Sequence, residues 1–163
     1  MDADVLVIGA SPAGLMAARN ASSGGANVIL IDKKPDINTS PHPANTFFKA
    51  MFDKTGDDVD QSYVIKKLKG AHIVSPSGNY ATVESTGYFI DRIKFDMYYA
   101  AKVRNTGVDI RTGVEAYNVI KRGDMFTVST SKGTLKSRIV IAADGINSHI
   151  SQLLGLKPLK HQG

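Results

Sequence analysis

The 163-residue chain has no cysteine and no tryptophan. The first absence rules out disulfides, thiolate metal sites and a cysteine nucleophile, and is compatible with an intracellular setting. No apolar run approaches the roughly 20 residues that a membrane-crossing helix needs. The short apolar stretch 5–10 follows Asp2 and Asp4 rather than the basic flank of a signal peptide. The cytoplasm is therefore the expected location. Lys and Arg number 20 against 15 acidic residues, a net charge of +5, but they are scattered and form no block. That charge reads as solvated surface, and nucleic acid is not an expected partner. Repeats and low-complexity segments are also missing. What remains is 42% hydrophobic and 21% charged, the balance of an ordinary globular domain.

The stretch around which the chain is organised begins at Asp4. Residues 4–8 are a β-branched apolar run that reads as a buried parallel strand, and it enters an Ala-rich helix through Gly9-Ala10-Ser11-Pro12-Ala13-Gly14. A second apolar run, 27–31, ends in Asp32, 18 residues after Gly14. The unit is thus β-α-β with a carboxylate at the tip of its second strand, where a ribose diol needs an acceptor. Gly9 permits the turn, and Gly14 permits close packing of helix on strand. The first N–H groups of the helix have no intrahelical partners and lie at the positive end of its dipole. A dinucleotide pyrophosphate satisfies them. Ser11 replaces the middle glycine of Gly-x-Gly-x-x-Gly and offers its hydroxyl to a phosphate oxygen. A nucleophile elbow built on Ser11 is disfavoured, because the next residue, Pro12, lacks the N–H that an oxyanion would need. A surface turn that binds nothing is the plain alternative.

Residues 33–43 are rich in Pro, Asn and Ser and read as an extended loop beside the cofactor, with His42 as a surface residue rather than a metal ligand. Residues 44–52 read as a short helix carrying Phe47, Phe48, Met51 and Phe52. Residues 71–84 read as a β-hairpin turned at Pro76-Ser77-Gly78-Asn79, and two strands alone are marginal in water, so further strands must join them. No such strand is evident downstream. Residues 93–105 have amphipathic helical spacing, with Asp91 as N-cap and Gly107 as stop. A parallel-type strand follows at 108–113, then strands at 114–120, 125–130 and 135–142 joined by tight turns, an up-and-down meander whose last strand re-enters the buried sheet.

Taken in order, Gly-x-Ser-x-x-Gly with Asp32, the helix opened by Asp91-Arg92-x-x-Phe95-Asp96, the meander, and Ala142-Ala143-Asp144-Gly145-x-Asn147-Ser148 with Leu153-Leu154-Gly155-Leu156 resemble the FAD-dependent oxidoreductases of the p-hydroxybenzoate hydroxylase-like fold. Within that group the chain is similar to the geranylgeranyl reductase family, through the tracts 71–78 and 87–92. The resemblance covers most of the chain. It implies an α/β fold: a Rossmann-like FAD-binding domain with a parallel sheet and a β-meander crossover, formed by 1–63 and 88–163. The hairpin 64–87 would open an antiparallel substrate domain.

For the site, the resemblance implies that Gly9, Ala10, Ser11, Pro12, Ala13 and Gly14 hold the FAD pyrophosphate and that Asp32, with Lys33 beside it, holds the adenosine ribose. Arg92 would contact the phosphates or the ribityl chain, against the alternative of an ion pair with Asp91 or Asp96. Glu115 and Ala116 would lie against the adenine through their backbone. Asp144 and Gly145 would close over the pyrophosphate, against the alternative of an Asx turn. The implied reaction is reduction of C=C bonds in an isoprenoid lipid, with NAD(P)H as electron donor and peripheral membrane association of the full-length enzyme. Two departures stand out: no cysteine in the loop 38–45, and Ser151 where the family has arginine. The family's second Gly-Asp motif falls beyond the end of this chain, so the expectation is an N-terminal portion with reduced FAD affinity and no turnover alone. An aromatic monooxygenase, a nicotinamide dehydrogenase, a methyltransferase and a non-catalytic binding module share parts of the pattern. No residue stands out as catalytic acid or base.

Overall fold

The computed structural model describes residues 1–37 and 44–156. The chain divides into two compact units, Met1–Thr39 with Tyr99–Gly163, and Ser40–Tyr98. The second is thus an insertion in the crossover between two strands of the first. It is wider than the hairpin 64–87, because residues on both sides of the hairpin group with it. His42 lies outside the described residues.

The first unit is built on a six-stranded sheet. Its parallel part comprises β1 (Ala3–Ile8), β2 (Val28–Asp32) and β6 (Asp109–Thr112), with β9 (Gly133–Ala142) on the other side of β1; β7 (Ala116–Arg122) and β8 (Met125–Thr130) extend it antiparallel, in the order β6-β2-β1-β9-β8-β7. Helix α1 (Pro12–Ser23) connects β1 to β2 and packs on both. Residues of β1 and β2 alternate between two covered faces, which is why both strands are unbroken apolar runs. Leu6, Ile8, Ile29 and Ile31 face Val119 and Val128 of the meander. Alternation puts Val5, Val7, Val28 and Leu30 on the opposite face, where α1 contributes Leu15 and Ala18.

The long strand β9 serves two neighbours. Its first half pairs with β8 (Phe126↔Ser137) and its second half with β1 (Ala3↔Ser137 to Ile8↔Ala142). At the changeover Ser137 is fully buried and donates its hydroxyl to Ile139 O at 2.9 Å, so the buried polar atom is satisfied. The short α4 (His149–Leu153) lies against β7.

The second unit has a three-stranded antiparallel sheet, β3 (Thr46–Phe48), β5 (Tyr80–Ile90) and β4 (Val64–Val74), in the order β3-β5-β4. Helix α2 (Lys49–Thr55) follows β3 directly, and α3 (Arg92–Arg104) leads from this unit back into the first. Two sequence expectations are corrected here. Residues 44–52 are not one helix, since Thr46–Phe48 pairs with Gly87–Phe89. The hairpin also runs longer than 71–84, and its third strand comes from upstream in the chain. Both follow from a pairing some 40 residues away in sequence, which no local periodicity reports. Asp91 does cap α3: Lys94 N–H donates to its Oδ1 at 3.1 Å.

Candidate functional site

In a parallel sheet the carboxyl ends of the strands share one edge, and a crevice forms where the connections leave in opposite directions. Here that point is β1, with β2 on one side and β9 on the other. Gly9 follows β1 at φ 106°, and a Cβ there would stand 2.3 Å from Ala143 O, so only glycine fits against the exit of β9. A Cβ on Gly14 would lie 1.8 Å from Gly9 O. The turn is therefore a tight backbone cradle, held on both sides by Gly9 N–H to Ile31 O and Ala143 N–H to Ile8 O, each 2.8 Å.

The donors of this cradle can be assigned one by one. Ser11 is the N-cap, with extended backbone and no side-chain cap bond, and Pro12 at the first helical position carries no N–H. Leu15 N–H closes the first helical bond to Ser11 O at 2.9 Å. Among the described residues, no protein acceptor takes the N–H groups of Ser11, Ala13 and Gly14. Ala10 N–H is already committed: it donates to Asp32 Oδ2 at 2.6 Å. The other oxygen of Asp32 accepts Lys34 N–H at 2.8 Å. The carboxylate thus faces the cradle from the tip of β2 and ties the turn to it, and each oxygen keeps a lone-pair site for a hydroxyl donor. Lys33, next to it, is exposed.

The exit of β6 completes the same edge. Thr112 is the register partner of Asp32, and Val114 N–H donates to Asp32 O at 2.9 Å. Glu115 follows, with its N–H on Ser131 Oγ at 3.1 Å and its O accepting Ser131 N–H at 2.9 Å, while Ala116 begins β7 opposite Thr130. Ser131 and its neighbour Lys132 carry no site signal in the sequence beyond turn chemistry. At the exit of β9 the Asp144 carboxylate is engaged by its own loop, accepting from Ser148 Oγ and from Ile150 N–H at 3.2 Å. Gly145 beside it has φ 99° and open space where a Cβ would stand.

Arg92 belongs to the second unit. It donates from Nε to Asp96 Oδ1 at 2.9 Å and from Nη1 to Ala44 O at 3.0 Å, with both charged side chains nearly buried. The ion-pair alternative for Arg92 is the arrangement seen. In the same unit the Asp53 carboxylate holds Lys49 above its usual value, and hydrogen bonds from Ser62 hold Asp60 below its own. Among the described residues no cluster of His, Asp and Glu is arranged to hold a metal, and no helix is long and apolar enough to cross a membrane.

The profile of the pyridine nucleotide-disulphide oxidoreductase family matches residues 6–157. The chain belongs to that family. It is 36% identical over 166 residues to digeranylgeranylglycerophospholipid reductase 1 of Methanothermobacter thermautotrophicus, covering 95% of this chain and 42% of the relative. The crystal structure of a geranylgeranyl bacteriochlorophyll reductase-like protein from Thermoplasma acidophilum superposes with a TM-score of 0.84 at 30% identity, over 95% of this chain and 42% of that one. The resemblance to geranylgeranyl reductases read from the motifs thus stands. At 16% identity the halogenase PltM, in complex with FAD, shares the fold with a TM-score of 0.71, over 95% of this chain and 36% of its own. The chain spans about two fifths of the length of the curated relatives it matches.

Proposed function

We propose that this chain is the FAD-binding portion of a flavin-dependent oxidoreductase that reduces C=C bonds of geranylgeranyl or related isoprenoid lipids. One observation carries the reading: three helix-start N–H groups without protein acceptors lie in a backbone cradle that two Cβ atoms would fill, facing a carboxylate at the tip of the next strand. These groups fit FAD. The N–H groups of Ser11, Ala13 and Gly14 would hold the pyrophosphate, and Asp32 would accept from the adenosine ribose. When bound, FAD supplies hydride transfer, with NAD(P)H as the proposed electron donor. The chain's own part is to bind and orient. Asp32 fixes the cradle by taking Ala10 N–H, which ties the turn to the tip of β2 before any ligand arrives.

The meander β7–β9 favours this reading over a nicotinamide dehydrogenase or a methyltransferase, which continue with alternating strands and helices. The similarity to reductases named for a phospholipid substrate supports the isoprenoid lipid and a full-length enzyme that works at a membrane surface from the cytoplasm. On this reading the long hairpin of β4 and β5 opens the substrate-binding part. The test is direct: titrate the purified chain into FAD and follow flavin fluorescence and the visible spectrum. Saturable binding, lost in a Gly14→Val variant that remains folded by circular dichroism, is the expected result. A wild-type chain that takes up neither FAD nor ADP overturns the proposal.

A further inference from the structure

Lys132 sits in the turn between β8 and β9, and the fold carries it back to the exit of β6. Its Nζ lies 3.4 Å from Thr112 O and 3.6 Å from the place a Cβ on Gly113 would occupy. Thr112 pairs in register with Asp32, and Gly113 N–H donates to Lys34 O at 2.6 Å, so the ammonium stands at the same strand edge as the Asp32 carboxylate. Gly113 has φ +64° and no side chain to fill the space that opens on one side to Lys132 and on the other to Pro35, whose Cα is 3.9 Å from the same Cβ position. The bond to Thr112 O is long, and no carboxylate among the described residues pairs with Lys132. An ammonium has three donors, of which at most one is used here.

We infer that Lys132 is a contact for the adenosine half of the bound dinucleotide, donating to a ring nitrogen or ribose oxygen while Asp32 accepts from the ribose hydroxyls. The chemistry is complementary: the purine edge and the ribose are rich in lone pairs, and the edge of the sheet offers one anion and one cation a strand apart. This inference rests on the dinucleotide reading above and assigns a residue to it that the turn chemistry of Ser131-Lys132-Gly133 does not reveal. The competing role is a strut that only fastens the turn to β6.

The experiment is calorimetric titration of the full chain with ADP and with FAD, in wild type, Lys132→Met and Lys132→Arg, alongside thermal melts without ligand. Methionine keeps the stem and removes the charge. The expected result is a loss of about five- to tenfold in affinity for both ligands in the methionine variant, the range of a charge-assisted bond partly open to water. Its melting temperature should stay at that of wild type, and arginine should recover most of the affinity. ADP affinity unchanged in Lys132→Met while wild type binds overturns the assignment alone. So does an affinity loss matched by a lowered melting temperature and not recovered by arginine. Absence of ADP and FAD binding in wild type overturns the underlying reading as well.

Discussion

In the unit formed by Met1–Thr39 and Tyr99–Gly163 the largest fully buried side chains include Leu6, Val7, Leu15, Leu30 and Ile31, whereas the unit Ser40–Tyr98 closes around Phe47, Phe52, Tyr63, Tyr88 and Phe95. The first buries short branched side chains because its central strands β1 and β2 are covered on both faces, by α1 and by residues of the meander, and the layers must interdigitate. The second has few elements, so each buried residue must cover more area. Five rings with centroids 5.1–6.3 Å apart do this, in mostly edge-to-face geometry. The difference predicts where each unit is fragile. In the first, cost is spread along a sheet; in the second, it is concentrated in a handful of rings.

The largest effect should therefore come from Phe95→Ala. Phe95 stacks on Phe47 at 5.6 Å and meets Phe52 and Tyr63 edge-on. Its removal should destabilise the second unit by about 4 kcal/mol. In urea, the tyrosine signal of that unit should then be lost before the far-ultraviolet signal of the parallel sheet. A single shifted transition would mean that the two units unfold as one, and the contrast drawn here would fail.

Next in size is Arg92. With its guanidinium and Asp96 both nearly buried, Arg92→Met should cost about 3 kcal/mol by leaving a carboxylate uncompensated, and the double variant Arg92→Met, Asp96→Leu should recover most of that loss. Chemical denaturation of the three proteins checks it. A contact to the cofactor would instead lower FAD affinity in the double variant while its stability returned, which separates the two roles.

Asp32→Asn acts in the first unit and should be milder. Asparagine presents an NH2 group to one of the two backbone donors that the carboxylate now accepts, so about 1–2 kcal/mol of stability should be lost. ADP affinity should fall about tenfold if the ribose is held there. Hydrogen exchange of Ala10 N–H, measured by nuclear magnetic resonance, should accelerate in the variant. If it does not, the bond from Ala10 does not fix the turn.

What the sequence revealed follows the same division. β1 and β2 were legible because strands covered on both faces must be unbroken apolar runs, the meander because tight-turn residues punctuate its strands, and Asp32 because the glycine turn has a fixed distance to the second strand's tip. β3 was not, since Thr46-Phe47-Phe48 runs into Lys49 with a spacing that also suits a helix, and only its pairing with Gly87–Phe89 decides the matter. The details of the site divide in a similar way. That Gly9 and Gly14 are obligatory could be argued from the turn alone. That Asp32 holds Ala10 N–H and that Ser131 engages both backbone groups of Glu115 depend on chain returns that leave no local pattern, whereas the engagement of Asp144 by Ser148 and Ile150 is local, of the kind its turn sequence suggested.

The smallest effect belongs to the outer hairpin. Ile73 and Val74 are each 64% exposed and Tyr80 is 69% exposed, although they sit on paired strands. Ile73→Thr keeps the β-branch that suits a strand and removes apolar surface that is mostly in water already, so stability should change by less than about 0.5 kcal/mol. The same substitution at Ile31, which is fully buried between β1 and β6, should cost several times more, because it leaves a cavity and an added hydroxyl to satisfy. The pair is best read together in one denaturation series. A cost above about 1 kcal/mol at Ile73 would show that the hairpin is covered in solution, and a melting temperature that rises with protein concentration would then identify the cover as a second copy of the chain. Equal costs at the two positions would remove the distinction between a sheet closed on both faces and one left open.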